Sequence, residues 1–418
     1  MRIELGKSSI SGIVNAPPSK SAMQRYIAGA LLANGVSRIY SSSLCDDSMS
    51  AIAVAEALGA EISVSGEVVT VNGGFKPYKS ELFCGESGLA TRMFTSIAAL
   101  HSREITISGK GSILKRPLKM IEAPMAELGV KVTTNDGFLP IKIQGPIRGG
   151  DVICDGSVSS QFLTGLLMAL PVVNEDSVIF VDNLVSRPYI DLTIKILKKF
   201  GIDIQNHSYE KFEINGKQKY IAGDFTVEGD WSGAAFLMVM AAIGGKAIVR
   251  NLDLYSAQAD KAIFDVIKIS GANISSSDGS IMISKGDLRG FCYDISDCPD
   301  LAPPLVVLAL ASNGESIITG TSRLSSKESD RGFVLEDTLS SLGAKIRNYK
   351  DRIEIDGGIS LNGGVVSANN DHRIAMALAS ASLICNSPVI IEGMECINKS
   401  YPNFIDDFRK LGGIVKLL

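Results

Sequence analysis

A chain of 418 residues is too long for one ordinary hydrophobic core, so two domains are expected. Hydrophobic residues make up 45% and charged residues 21%, a soluble globular composition that excludes a disordered chain. The formal net charge of −4 argues against a protein that coats nucleic acid, so any basic site must be local.

The opening residues Met1-Arg2-Ile3-Glu4-Leu5-Gly6 contain no apolar signal region, and no uninterrupted apolar run is long enough to span a bilayer. Cys45, Cys84, Cys154, Cys292, Cys298, Cys385 and Cys396 are odd in number and form no C-x-x-C pair. That pattern fits reduced thiols in the cytoplasm. His101, His207 and His372 lie far apart, so no His-rich metal motif is present and no metal is expected.

In chain order, the same set of elements recurs. Apolar stretches at 21–33, 88–100, 159–172, 232–243, 301–312 and 372–385 predict six helices buried on all sides. A β-rich strand follows each, at 37–39, 104–107, 177–181, 247–249, 316–318 and 389–391. A second, amphipathic helix comes next, as in Asp191–Lys198, and ends at a glycine between small or apolar residues. Those glycines are Gly59, Gly129, Gly201, Gly271, Gly343 and Gly412, spaced 70, 72, 70, 72 and 69 residues apart. One such glycine is an ordinary helix cap, whereas six at near-constant spacing mark an internal repeat. Asn135-Asp136-Gly137 and Ser277-Asp278-Gly279 are hairpin turn signals, so each unit reads βαβαββ.

The sixth unit stops after one strand, 414–418, and the chain begins with an unpartnered strand, 2–5, so these two are expected to pair. The fold class is α/β with six repeats, three per domain. One domain takes residues 16–227, and the other takes 1–15 with 228–418. The chain then crosses between domains twice, near 16–18 and 227–230, as a hinge closing around a ligand would require.

The unusual polar residues fall at predicted helix entrances. Ahead of the buried helices stand Ser19-Lys20-Ser21 with Arg25, Gly85-Glu86-Ser87-Gly88 with Arg92, Ser159-Ser160-Gln161, Asp230, Asp297 with Asp300, and Asp371-His372-Arg373. Ahead of the amphipathic helices stand Asp46-Asp47, Lys115-Arg116-Pro117, Ser186-Arg187, Ser256-Ala257-Gln258, Ser326-Lys327-Glu328-Ser329-Asp330-Arg331 and Asn398-Lys399-Ser400. Capping explains the Ser, Asn and Asp residues. It does not explain the cations, since a helix entrance favours negative charge. Surface solubility and ion pairs across a domain interface are alternatives, but small multiply charged anions fit the set better, because Arg forks and helix N-termini both bind phosphate and carboxylate. Asp300 and Glu328 lie among these cations, where a carboxylate can act as general acid or base or simply as a cap. No GxxxxGK[ST] loop and no G-x-S-x-G elbow occurs.

Ser19-Lys20-Ser21 with Arg25, Ser159-Ser160-Gln161-Phe162-Leu163-Thr164, Lys327-Glu328-Ser329-Asp330-Arg331, Asp371-His372-Arg373-Ile374-Ala375-Met376 and Lys399-Ser400-Tyr401-Pro402 occur in one order along nearly the whole chain. Together they closely resemble the 5-enolpyruvylshikimate-3-phosphate synthase (3-phosphoshikimate 1-carboxyvinyltransferase) family of enolpyruvyl transferases. The resemblance implies a two-domain fold with helix N-termini facing a central cleft. It also implies transfer of the enolpyruvyl group of phosphoenolpyruvate to the 5-hydroxyl of shikimate 3-phosphate by addition and elimination of phosphate, in the shikimate pathway of aromatic amino acid biosynthesis, with no cofactor. Residue by residue, Lys20 is implied to touch both substrates. Ser21 and Arg25 hold the shikimate carboxylate side, Ser159, Ser160 and Ser186 the shikimate phosphate, and Gln161 lies between the substrates. Gly88, Arg92, Arg116, Arg331, Arg373 and Lys399 hold phosphoenolpyruvate. Asp300 is the implied base for the 5-hydroxyl, with Lys327 and Glu328 as the proton-transfer and charge-stabilising pair.

The chain departs from the family pattern in three places. Glu86-Ser87-Gly88-Leu89 stands for the usual Asn-Ala-Gly-Thr, Arg323 replaces an asparagine four residues before Lys327, and Arg187 replaces a lysine. The sister transferase acting on UDP-N-acetylglucosamine carries a reactive cysteine on a loop. Here Cys84 precedes the Glu86-Ser87-Gly88 stretch and Cys154 lies in a strand. A non-catalytic repeat scaffold would spread its cations over an outer face with aromatic residues among them, a pattern the sequence lacks. The expectation is a cytoplasmic monomer that binds two small substrates and neither nucleic acid nor membrane. If the double crossing is a hinge, phosphoenolpyruvate and shikimate 3-phosphate together reduce the radius of gyration in solution scattering; an unchanged radius counts against it.

Overall fold

Gly59, Gly129, Gly201, Gly271, Gly343 and Gly412 each follow a helix, with φ between +79° and +114°. Each closes its helix with the same pair of bonds. Gly59 N–H donates to the Glu56 carbonyl (2.9 Å) and Ala60 N–H to the Ala55 carbonyl (3.1 Å), and around Gly343 the acceptors are Ser340 (2.9 Å) and Leu339 (3.0 Å). This is the Schellman arrangement, which needs a left-handed residue after the last helical turn. The structure, a computed structural model, describes residues 1–418.

The chain divides into a middle unit, Pro18–Val227, and a terminal unit built from Met1–Pro17 and Glu228–Leu418. In the middle unit lie α1 (Lys20–Leu32), α2 (Asp46–Ala57), α3 (Gly88–Ala98), α4 (Glu122–Glu127), α5 (Ser160–Ala169) and α6 (Arg187–Lys199). The terminal unit holds α7 (Trp231–Gly244), α8 (Ile263–Ile269), α9 (Ala302–Ala311), α10 (Arg331–Ser341), α11 (His372–Ala381) and α12 (Phe404–Lys410). Every residue of α3 and α11 is buried, as is all of α7 except Gly244. A helix without a polar stripe has no face to give to water, so each unit is built around such helices. By contrast, α6 buries Ile190, Leu192, Thr193, Ile196 and Leu197 and leaves Lys195, Lys198 and Lys199 outward. No helix is long and apolar enough to cross a membrane.

Six sheets of four strands surround these helices, and all share one order: a parallel pair extended by two antiparallel partners. In one, Glu81–Phe83 runs parallel to Glu104–Ser108, followed by Phe138–Gln144 and Lys131–Asn135. The hairpin turns at Asp136-Gly137 and Asp278-Gly279 have positive φ at both residues, matching strand twist. Arg2–Gly6 is a central strand, paired with Val389–Glu392 on one side and Ile414–Leu417 on the other. Ile10–Asn15 runs parallel to Gly245–Arg250. The first fifteen residues thus enter two sheets of the terminal unit. Bonds from Ala16 N–H to the Arg250 carbonyl (2.9 Å) and from Asp230 N–H to the Pro17 carbonyl (2.6 Å) hold the next two residues there.

Several second helices differ from expectation. The stretch before Gly129 forms 3-10 turns at Gly111–Lys115 and Lys119–Ile121 and only a six-residue α4. Pro117 has no N–H to give and forces Arg116 into extended backbone (φ −91°, ψ 133°). Lys399 likewise ends a 3-10 turn, Met394–Lys399, and Lys327 follows another, Ser322–Ser326. Arg116, Lys327 and Lys399 are therefore not at α-helix entrances; they stand at the ends of 3-10 turns.

The central position of Arg2–Gly6 is testable. Ile3 is fully buried, so Ile3→Ala is expected to lower the unfolding free energy by about 2–5 kcal/mol in urea denaturation. An edge strand would lose well under about 1 kcal/mol.

Candidate active site

In the middle unit, the polar residues enter through the first turns of α1, α3 and α5. Ser19 caps α1, its Oγ accepting from Ala22 N–H (3.3 Å), which places Lys20 at the first helical position. Lys20 pairs with Asp47 at the start of α2 (3.0 Å). One turn on, Arg25 is only 2% exposed and donates to four neutral oxygens: Thr193 Oγ1 (2.8 Å), the Ser21 carbonyl (2.8 Å), Thr164 Oγ1 (3.3 Å) and the Tyr189 carbonyl (3.3 Å). Burial pulls its guanidinium down to about 10, so it is still cationic at neutral pH.

Ser87 caps α3 through Ala90 N–H (3.2 Å) and donates to Gln24 Oε1 (2.9 Å), tying α3 to α1. Gly88 follows. A Cβ there would lie 2.5 Å from Arg116 Nη1 and 3.0 Å from Arg92 Nη1, so the missing side chain lets both guanidiniums close on the helix start. Arg92 also donates to Gln161 Oε1 (2.9 Å) and the Pro117 carbonyl (3.0 Å). Ser159 caps α5, accepting from Gln161 N–H (3.2 Å), with Ser160 buried beside it. Ser186 precedes α6 in the left-handed region (φ 56°), and its side chain does not cap that helix. Glu86, where the family pattern has asparagine, accepts from Ser112 N–H (3.2 Å) and Oγ (3.1 Å).

In the terminal unit, the stretch from Lys327 to Arg331 folds onto the starts of α9 and α11. Asp330 is the cap of α10, accepting from Phe333 N–H (3.2 Å). That leaves Arg331 at the first helical position, 1% exposed and surrounded by three carboxylates. It donates to Asp300 Oδ1 (2.7 Å), to Glu328 Oε2 (2.6 Å), and to Asp371 through Nε (2.8 Å) and Nη2 (3.2 Å). Burial opposes its charge, but Asp371, Glu328 and Asp300 outweigh burial and hold the guanidinium firmly protonated.

Asp300 is the second centre. Besides Arg331, it accepts from Arg373 Nη2 (3.1 Å) and lies 3.5 Å from Lys327 Nζ. Burial would raise its carboxyl; Arg373, Lys327 and Arg331 reverse this and hold it well below the usual carboxylate range. Lys327 moves in the opposite sense. Burial lowers its ammonium to about 8, aided by Arg331 and Arg323 and opposed by Asp300. Lys399 lies 3.9 Å from Glu328. Three carboxylates (Asp300, Glu328 and Asp371), one easily deprotonated ammonium and three further cations (Arg331, Arg373 and Lys399) therefore share a small volume, an arrangement in which a proton can move between neighbouring groups.

Expected residues Asp300, Lys327, Glu328, Arg331, Arg373 and Lys399 are thus joined in one network. Gly88, Arg92, Arg116 and Gln161 form another, and Lys20, Ser21 and Arg25 gather at α1. Arg331, expected to clamp an incoming anion, faces the protein's own acids. One residue outside the expected set, Asp371, belongs to the terminal network, and a second, Asp260, lies near it. Asp371 caps α11 through Arg373 N–H (3.0 Å) and also accepts from Ser329 Oγ (3.0 Å). Its position ahead of an apolar helix signalled the cap but not the ion pair. Asp260, on the 3-10 turn Ala259–Ala262, is fully buried, and its sequence context carried no signal. No three His, Cys, Asp or Glu side chains gather as a metal site would need. Burial pushes the Cys84 and Cys154 thiols up to about 12.

A family model described as EPSP synthase (3-phosphoshikimate 1-carboxyvinyltransferase) matches residues 5–408. The 3-phosphoshikimate 1-carboxyvinyltransferase of Clostridium novyi (strain NT) is 40% identical, with 99% of this chain and 98% of the relative aligned. That of Clostridium perfringens (strain ATCC 13124) is 39% identical over 99% of both. Among solved structures, EPSP synthase from Acinetobacter baumannii superposes with a TM-score of 0.84 over 100% of both chains at 24% identity. The enolpyruvyl transferase NikO from Streptomyces tendae gives 0.81 at 16% identity over 99% and 98%. At these identities the two structures speak for the fold.

Replacing Arg331 by Ala leaves Asp371, Asp300 and Glu328 crowded without their shared cation. Chemical denaturation is expected to show a loss of about 3–5 kcal/mol. A loss under about 1 kcal/mol would mean that the network is not what holds these loops.

Proposed function

From the EPSP synthase (3-phosphoshikimate 1-carboxyvinyltransferase) family, to which this chain belongs, we propose that the protein transfers the enolpyruvyl group of phosphoenolpyruvate to the 5-hydroxyl of shikimate 3-phosphate and releases phosphate. The observation that carries the chemical assignment is the convergence of Arg331, Arg373 and Lys327 on Asp300. Two substrates bearing phosphates and carboxylates need fixed cations, and the reaction needs a base and an acid beside them.

In this reading Ser159, Ser160 and Ser186 hold the sugar-like substrate's phosphate, Ser21 and Arg25 its carboxylate side, and Lys20 and Gln161 contact both substrates. Gly88, Arg92, Arg116, Arg331, Arg373 and Lys399 hold phosphoenolpyruvate. Asp300 takes the proton of the 5-hydroxyl as its oxygen bonds to C2 of phosphoenolpyruvate. Lys327, whose lowered ammonium gives up a proton near neutral pH, protonates the C3 methylene, and Glu328 stabilises the charge at C2. The tetrahedral adduct then loses a C3 proton to the now neutral Lys327 and breaks its C2–O bond to phosphate, which leaves with the proton held by Asp300, restoring the double bond and both side chains. Atoms balance as one enolpyruvyl ether and one inorganic phosphate. The protein works in the cytoplasm as a monomer, without nucleic acid.

The sister reaction on UDP-N-acetylglucosamine is disfavoured by Cys84 and Cys154, whose buried thiols at about 12 are poor nucleophiles. Purified protein given phosphoenolpyruvate and shikimate 3-phosphate is expected to release inorganic phosphate, and Asp300→Asn to slow release by about 10²–10⁴-fold. No release from folded wild-type protein would sink the assignment.

A further inference from the structure

Asp260 is 0% exposed. Its Oδ2 accepts a hydrogen bond from Ser232 Oγ in the first turn of α7, while Oδ1 has no hydrogen-bond partner. A carboxyl retained for capping or for an ion pair normally satisfies both oxygens, and an idle buried oxygen makes the ionised form costly. Charged and titratable groups face it from several elements. Asp230, the cap of α7, shares its helix end. Cys298 and Asp300 come from the start of α9 and Arg373 from the first turn of α11. On its own turn, Lys261 reaches away to the Leu254 carbonyl (2.8 Å). Arg373 meanwhile holds both the Asp300 carboxylate (3.1 Å) and its main-chain carbonyl (3.4 Å).

We propose that Asp260 is a positioning residue: it keeps a proton in the buried space beside Asp300 and Arg373, so that the Arg373 guanidinium stays with Asp300 and the phosphoenolpyruvate anion. The proposal rests on the roles given above to Asp300 and Arg373. Burial, then the Asp300 charge, hold the Asp260 carboxyl up at about 7, against Arg373 and the Ser232 hydrogen bond. The sign follows. Below that value Asp260 is neutral and leaves Arg373 alone; as pH rises through it, a second carboxylate appears and competes for the same guanidinium.

The test is KM for phosphoenolpyruvate and kcat, measured by phosphate release from pH 6 to pH 8.5, in wild type, Asp260→Asn and Ser232→Ala. Titration of phosphoenolpyruvate itself is common to all three proteins. Relative to Asp260→Asn, wild-type KM is expected to rise by about tenfold across the range, with a much smaller change in the kcat ratio, corresponding to ~1.4 kcal/mol of lost anion binding. Ser232→Ala removes a hydrogen bond that favours the ionised form, so its KM rise is displaced to higher pH; this variant carries the test if Asp260→Asn does not fold. Identical pH profiles in wild type and the folded variants would overturn the role of Asp260. Absence of phosphate release from folded wild type at every pH would instead overturn the functional reading, and this role with it.

Discussion

A guanidinium at 1% exposure is affordable only if its charge is answered inside the protein, and Arg331 is answered three times, by Asp371, Glu328 and Asp300. The terminal unit's polar layout follows from that. Asp371 is the cap of α11, Arg331 opens α10, and Asp300 lies on the 3-10 turn leading into α9. Three helix starts are therefore bound to one cation. Apolar packing positions the bodies of those helices, but packing alone leaves their ends free to shift by a fraction of a turn. A multidentate ion pair with defined donor directions removes that freedom. Because Arg331 and Asp371 are buried, with Glu328 and Asp300 10% and 21% exposed, the network is less screened by salt than a surface pair.

The middle unit answers its buried cations differently. Arg25 donates to two threonine hydroxyls and two carbonyls, none of them charged. Neutral acceptors satisfy hydrogen bonds without cancelling charge, which is why burial still draws this guanidinium down to about 10. A cation held this way keeps its field, and an incoming anion feels it. In the terminal unit the acids cancel most of that field locally but create a contrast in proton affinity between Asp300 and Lys327. Buried cations near helix starts are thus met in two ways: Arg25 by neutral acceptors only, Arg331 by three carboxylates.

How much of this was legible in the sequence depends on the range of the interaction. The glycines at 59, 129, 201, 271, 343 and 412 were readable because a left-handed cap is a property of one residue and its immediate helix. Likewise, the buried helices announced themselves by lacking a polar stripe. Pro117 was visible too, yet its effect on Arg116, turning a helix entrance into the end of a 3-10 turn, depended on local backbone sterics that a periodicity reading passes over. The pairing of Arg331 with Asp371, 40 residues away, could not be read from spacing, because it exists only once α10 and α11 are packed. Asp260 was less legible still. Nothing distinguishes it from a surface acid until Ser232 and the start of α9 are seen to enclose it.

Asp260 also shows why burial and charge have to be weighed together. A buried carboxyl can be stabilised as an anion by enough cations, as Asp300 is, or left neutral where the cations are already engaged. Arg373 has one guanidinium and reaches Asp300 with it. Two carboxylates beside a single shared cation cannot both ionise cheaply, so the proton settles on the one with the poorer hydrogen bonds. Asp300 has Arg331, Arg373 and Lys327, whereas Asp260 has one hydroxyl. The division of protons between the two acids therefore follows from burial first and then from the cations each can reach, and any anion that binds Arg373 must alter it.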